Sequence, residues 1–244
     1  MSDVRAVFWK EWRELLEQFS SLRRGGLAML LLVAIFGVML PWQMGLFWLH
    51  GALMLGYWPF AGSSLVVNVI VDAFAGERER HTLETLLASP LSDRGILLGK
   101  YLAAASHGVA IVLLNLLVGL VTVNLVHGGG RFEVWEPMRL LQIVLLTILG
   151  SLFIAGIGVI ISLRASSARQ AHQTFGIAII AIILTPAILV SALPAAWERE
   201  LAGWSRGLSA ESVAWRAALV LLALNALALL GAQRRFRRGR LTLD

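Results

Sequence analysis

The residues whose types could carry catalysis are the histidines, two serines in apolar runs and one acid in an apolar run. His50, His81, His107, His127 and His172 include no two at the spacing that would set both on one helical face, and no His-Glu-x-x-His is present. Each reads as a lone polar contact before it reads as a metal ligand. The chain has no cysteine, which excludes a thiol nucleophile, a Cys-based zinc site and an iron–sulfur cluster. An intramembrane serine hydrolase needs a serine–histidine pair deep in its bundle. Ser151 and Ser162 lie in one apolar run, but His172 sits near the end of the next, beside Arg169 and Gln170. Asp72 lies one turn from the end of its run, where pairing with Arg78 or Arg80 accounts for it. Leu98-Gly99-Lys100-Tyr101 lacks the upstream glycine and the Ser/Thr of a nucleotide-binding P-loop, and Gly128-Gly129-Gly130 reads as a turn. If this protein takes part in ATP-driven work, the ATP is hydrolysed on another chain.

The elements that would position any site are hydrophobic. Of 244 residues, 58% are hydrophobic and 15% charged, against about 25% charged in soluble domains. Disorder, a fibrous chain and a disulfide-stapled module are excluded. A helix crosses a bilayer core of about 30 Å with about 20 apolar residues. From Gly25 to Val71 no Asp, Glu, Lys or Arg occurs, long enough for two crossings with a turn near Pro41, Gly45 and Gly51. The pattern predicts an all-α polytopic membrane protein of six spans: 25–44, 51–75 with a kink at Pro59, 96–126, 140–163, 170–197 and 213–233. The chain then reads as one domain over 1–244. An interfacial helix (1–24) precedes spans 1–2 (25–75), a connecting segment (76–95) and spans 3–5 (96–193). An outer connector helix (194–212), span 6 (213–233) and a basic tail (234–244) complete it. Residues 1–24 are too long and too charged for the start of a signal peptide.

Lys and Arg set the orientation. Of the 21, sixteen fall in 1–24, the loops near 76–100 and 164–169, and the tail, and only Arg131, Arg139, Arg199, Arg206 and Arg216 fall on the other side. Both termini are therefore expected in the cytoplasm. The formal net charge of +6 is read as this topological bias and not as a nucleic-acid surface. In the interfacial helix, Val4, Phe8, Trp12, Leu15, Phe19 and Leu22 form the apolar stripe, with Lys10, Glu11, Arg13, Glu14, Glu17 and Gln18 mainly opposite. Such a helix lies in the headgroup layer with Trp9 and Trp12 at its depth, as an anchor or as a collar that also touches a partner. On the outer side Trp197, Leu201, Trp204 and Leu208 give the connector its own apolar face. Asn68, Asn115, Asn124, Asn225 and Gln142 are polar groups within spans, where bonding across helices is the commonest use. Gly99, Gly156 and Gly158 allow close helix contact. A bundle with so little internal charge does not suit an ion-coupled pump.

The internal segment with the densest signals is 76–94. Gly76-Glu77-Arg78-Glu79-Arg80-His81-Thr82-Leu83-Glu84-Thr85-Leu86-Leu87 reads as a short helix, with Leu83, Leu86 and Leu87 on one face and Glu77, Arg80 and Glu84 spaced for intrahelical ion pairs. Pro90 stops it. Ser92 then caps the next helix, with Asp93 in its first turn. Over residues 76–100 the four acidic and four basic groups cancel, whereas a lipid-binding loop is net positive. A solvated helix and a docking surface for another protein fit this segment equally.

Residues 72–100 resemble the corresponding segment of type-2 ABC transporter permeases. That family typically shows a Glu-Arg/Lys pair, Gly/His-Thr-Leu-Glu, Leu-Leu-x-x-Pro and then Gly-Lys, which Gly99-Lys100 matches. The departure is His81, where glycine is common. The resemblance implies a permease subunit of an ATP-driven exporter in the cell membrane, with no enzymatic activity of its own. It implies ATP-Mg on a separate nucleotide-binding subunit, no cofactor or metal in this chain, and a second permease subunit, identical or paralogous. It assigns Glu77, Arg78, Glu79, Arg80, Thr82, Leu83, Glu84, Leu86, Leu87 and Pro90 to a coupling helix that docks on the ATPase. The alternatives are a polytopic membrane enzyme, a secondary transporter or a scaffold without an ATPase. The enzyme needs polar pairs that the spans lack. The secondary transporter needs internal repeats and buried ionisable groups. The residues name neither a cargo nor its path.

Overall fold

The computed structural model describes residues 2–20, 25–191 and 207–236, all of which are helix, turn or loop without a strand. The amphipathic α1 spans Ser2–Ser20. Next come α2 (Leu27–Met44), the short α3 (Leu46–His50) and α4 (Met54–Glu79). The connecting helix α5 is Thr82–Leu87, and α6 runs Asp93–His127. The chain continues through α7 (Pro137–Ser162), α8 (Ala168–Ser191) and α9 (Ala210–Arg235). Among the described residues, five helices are long and apolar enough to cross a membrane: α2, α4, α6, α7 and α9. The sequence predicts six. The outer connector expected over 194–212 and the tail over 234–244 fall largely outside the described residues.

Lipid tails are as apolar as leucine, so burying leucine against leucine does little to join these helices; close packing and interhelical hydrogen bonds do it. Small residues mark the crossings. At the α4–α6 crossing a Cβ on Gly108 would lie 2.6 Å from the Gly62 carbonyl oxygen. At the α4–α7 crossing a Cβ on Gly150 would lie 2.5 Å from Ser63 Oγ. At the α7–α9 crossing one on Gly156 would lie 2.9 Å from the Ala228 Cβ. Asn225 Nδ2 donates to the Leu149 carbonyl at 2.9 Å, and Gln142 Nε2 to the Glu211 carbonyl at 3.2 Å. Both are the cross-helix use expected of polar groups in spans. Asn124 instead bonds Glu133 through both its amide atoms and holds the turn that follows α6. Asn115 bonds back onto its own helix at Ile111.

Two α-helices carry π-helical stretches, Ala34–Met39 in α2 and Asp72–Gly76 in α4. The first lies where Thr122 Oγ1 donates to the Gly37 carbonyl at 3.1 Å. The second brings α4 to the face of the bundle that carries α1. At the opposite face, α3 inserts Trp48 between Trp58 and Trp135, with ring centroids 5.6 and 4.8 Å away. The fully buried Trp48 rests on Gly119 of α6.

Candidate docking segment and its anchorage

The α1 face is built on α6. Ser92 caps α6 as expected, accepting from the Gly95 amide at 3.2 Å. Its own amide and hydroxyl donate to Asp3 Oδ2 at 3.2 and 2.9 Å, which fixes the start of α1 to the start of α6. The next contacts need residues without side chains. A Cβ on Gly95 would lie 2.6 Å from the Asp3 Cβ, and one on Gly99 would lie 2.6 Å from the Val7 Cβ. Farther along, Trp12 Nε1 donates to Ser106 Oγ at 2.8 Å. The packed stripe of α1 is thus centred on Val7 and Glu11, both buried. That corrects the expectation that set Glu11 on the wet face. Trp12 is tied into the protein, while Trp9 is the exposed member of the pair.

Glu11 is buried because Lys100 awaits it. The Lys100 side chain has no solvent exposure, and its ammonium meets Glu11 Oε1 at 2.8 Å and Glu77 Oε1 at 2.6 Å. Lys10 reaches Glu77 at 3.5 Å, Glu11 at 3.3 Å and Glu14 at 3.1 Å. Burial works against the Lys10 charge, but Glu11, Glu14 and Glu77 outweigh it and raise its pKa above the usual lysine value. Phe74 lies under the Lys100 ammonium at 5.9 Å and stacks edge-on with Phe236. One lysine therefore joins α1, α4 and α6. In the described contacts, the Gly-Lys pair does two jobs: Gly99 lets α1 approach and Lys100 locks it.

The connecting segment leaves α4 at Glu77 with each of its first charges bound to its own chain. Arg78 donates to the Leu163 carbonyl at 3.1 Å and the Ala165 carbonyl at 3.2 Å, at the C-terminal end of α7 where cations are favoured. Glu79 Oε2 accepts from the Ala168 amide at 3.1 Å, at the N-terminus of α8 where anions are favoured. Arg80 pairs with Asp72 at 3.0 Å, the helix-end pairing expected for that acid, and this raises the guanidinium pKa. The intrahelical pairs expected of Glu77 and Arg80 are not the ones formed. The first two charges instead clamp α4 to α6 and to the α7–α8 turn.

At His81 the helix breaks. Its φ is 57°, a left-handed conformation that costs a side-chain-bearing residue and suits glycine. The expected single helix is therefore two pieces, with α5 beginning at Thr82. Thr82 Oγ1 bridges the break by donating to the Glu77 carbonyl at 3.2 Å. Leu86 turns partly onto the protein's own core, Thr85 and Pro90 are exposed, and α5 ends before Pro90. The side chains of Leu83, Glu84 and Leu87 lie outside the described residues. Between α5 and α1 runs an open cleft bordered by Lys10, Glu14, Arg80, Thr82, Thr85 and Ser89.

The residues weighed for catalysis stay apart. Ser151 and Ser162 are fully buried without a hydrogen-bond partner, and His172 is exposed on α8. His127 Nε2 contacts the Trp42 carbonyl at 2.7 Å, and His50 lies 3.8 Å from Glu133. Among the described residues no three His, Asp or Glu side chains are grouped to hold a metal.

The profile of a family described as "ABC-2 family transporter protein" matches residues 67–238. The chain is also 32% identical over 112 residues to the ABC transporter permease protein NatB of Bacillus subtilis (strain 168). That stretch covers 43% of this chain and 28% of the relative, so the match spans little more than a quarter of that relative's length.

Proposed function

Because the chain belongs to the ABC-2 family of transporter proteins, we propose that it is the membrane-spanning permease subunit of an ATP-driven exporter. It forms a single domain over 1–244 in the cell membrane, with both termini in the cytoplasm. Its fifth span, expected over 170–197, includes α8, and its sixth is α9. ATP-Mg is bound and hydrolysed by a separate nucleotide-binding subunit, and a second permease subunit, identical or paralogous, completes the pathway. The chain itself catalyses nothing.

The observation that carries this reading is the anchorage of 77–87. A rigid-body push on α5 reaches α4 through the chain, α6 through Glu77 and Lys100, and the α7–α8 turn through Arg78 and Glu79. A solvated loop has no need of three such attachments. The roles of the segment then divide. Glu77, Arg78, Glu79 and Arg80 hold it to the bundle and Leu86 steadies α5 from behind, while docking on the ATPase is assigned to the exposed Thr82, Thr85 and Pro90 together with Leu83, Glu84 and Leu87. Among the described residues the enzyme reading has no catalytic pair to support it, and a scaffold would not require force-bearing attachments.

Cross-linking tests this. Thr85→Cys, on an exposed position of α5, is expected to form a disulfide with a cysteine introduced on the groove of the co-expressed ATP-binding subunit. A cysteine at Phe132, exposed at the opposite face, is expected to form none. Equal yields from the two positions would remove α5 as the docking element.

A further inference from the structure

The C-terminal half of α2 is gripped by the bundle. Gly37 is buried there, and a Cβ on it would lie 3.0 Å from Val118 Cγ1 of α6. Pro41 is buried beside Gly119 of α6, and Phe36 meets Tyr57 of α4 with ring centroids 6.2 Å apart. The N-terminal half, Leu27–Val33, has no buried residue. Behind it lies a cavity of about 430 Å³, with Ala28, Met29 and Leu32 of α2 on one side and Leu65 and Val69 of α4 on the other. Close packing is what joins helices in lipid, so this half of α2 is weakly joined to its neighbours.

The two halves meet where the backbone is irregular. Pro41 has no amide hydrogen to give the Gly37 carbonyl four residues before it. Thr122 Oγ1 of α6 donates to that carbonyl at 3.1 Å. Over Ala34–Met39 the helix is π-helical, and the Leu40 amide reaches back five residues to the Ile35 carbonyl. Helices kink at such stretches. Gly25, with φ 148°, interrupts the backbone again just before α2. Leu27–Val33 is therefore a short regular piece between two irregular points, with a cavity beside it.

We propose that Ala34–Met39 is a hinge and that Leu27–Val33 is a gate swinging on it to close the cavity against α4. The contacts of Gly37 with Val118 and Thr122 fix the pivot to α6. Leu30 lies seven residues from Gly37, about 10 Å of helix rise, so a bend of about 20° carries it about 3–4 Å. Met29 and Leu32 move into the cavity as it closes. The swing needs no ATPase, so it stands or falls independently of the docking role of α5.

The chain has no cysteine, so spin labels can be placed at chosen pairs in the full-length protein in lipid nanodiscs and their separation read by double electron–electron resonance. Leu30→Cys, exposed on the gate, is paired with Arg169→Cys, exposed at the start of α8, which packs on α4. Two separations about 3–4 Å apart are expected, the reach of the swing. Trp42→Cys on the gripped half of α2, paired with Leu219→Cys on α9, both exposed, is expected to give one. Ala28→Trp fills the cavity from an exposed position that lines it, and is expected to remove the shorter Leu30–Arg169 separation. A single Leu30–Arg169 separation as narrow as that of the control pair overturns the proposal. A control pair that splits equally does so too, since α2 would then move as a whole. So does survival of the shorter separation in the folded Ala28→Trp protein, since the motion would then not enter this cavity.

Discussion

Lys100 Nζ and Glu77 Oε1 stand 2.6 Å apart, with the lysine side chain wholly removed from solvent. The pair joins α6 to the last turn of α4, and Glu11 adds α1 to the same ammonium at 2.8 Å. Removing the lysine leaves two buried carboxylates with only the half-exposed Lys10 beside them. Lys100→Met is expected to lower stability by about 3–5 kcal/mol, the usual cost of breaking a buried ion pair from one side. Thermal unfolding in detergent measures it. Adding Glu11→Gln and Glu77→Gln to Lys100→Met should recover much of the loss. A single variant as stable as the wild type would show that the ammonium is dispensable.

Gly99 and Val7 supply the second prediction. A methyl on Gly99 would press on Val7 at 2.6 Å, and α1 must shift to admit it. Gly99→Ala is expected to cost about 1–3 kcal/mol as overpacking, and to speed proteolysis within α1. Val7→Ala removes only the Cγ1 contact at 2.7 Å and leaves the Val7 Cβ and the Val4 carbonyl in place, so the double variant should regain little protection. Full protection in the double variant would place the clash on the Val7 Cγ1 methyl alone.

How much of this was legible in the sequence depends on the distance over which each partner acts. The long apolar runs foretold α2, α4, α6, α7 and α9 to within a few residues, because the need for about 20 apolar residues is local. The Ser92 cap and the Asp72–Arg80 pair were legible for the same reason. Glu11 was misplaced because periodicity alone cannot reveal that a residue 89 positions away offers it an ammonium. The charges at 77–79 were read as local helix pairs or docking groups, while their partners lie at 100, 163, 165 and 168. Charge balance in that segment was the available signal. Four charges that need no solvent partner can each be bound inside the protein.

His81 shows a case where the resemblance held a physical clue. Glycine is common there in the family, and the residue has φ 57°. His81→Gly is expected to fold at least as stably as the wild type. His81→Val should lose about 1–2 kcal/mol, because a β-branched residue is poorly suited to the left-handed region. Calorimetry of both variants checks the sign. A valine variant of unchanged stability would mean that the break at this position relaxes freely.

Arg78 separates holding from docking. Its two bonds to the Leu163 and Ala165 carbonyls are charge-assisted, and Arg78→Ala is expected to cost about 1–3 kcal/mol per hydrogen-bonded group left bare. Arg78→Lys should recover little, since an ammonium cannot reproduce the fork across two carbonyls. If the segment transmits force, the alanine variant still recovers the ATPase on purification but no longer couples ATP hydrolysis to cargo movement in proteoliposomes. Full coupling in that variant would show that the α7–α8 turn is not part of the transmission.

The most direct test of the central claim is recovery of the complex. The full-length chain is expressed in membranes with the ATP-binding subunit encoded beside it, as wild type and as Leu83→Asp/Leu87→Asp. The account predicts that the wild type retains the ATPase through purification, and that the double variant, correctly folded in the membrane, loses both the partner and its ATPase activity. A wild type that purifies alone, or a double variant that holds the ATPase equally well, would contradict it.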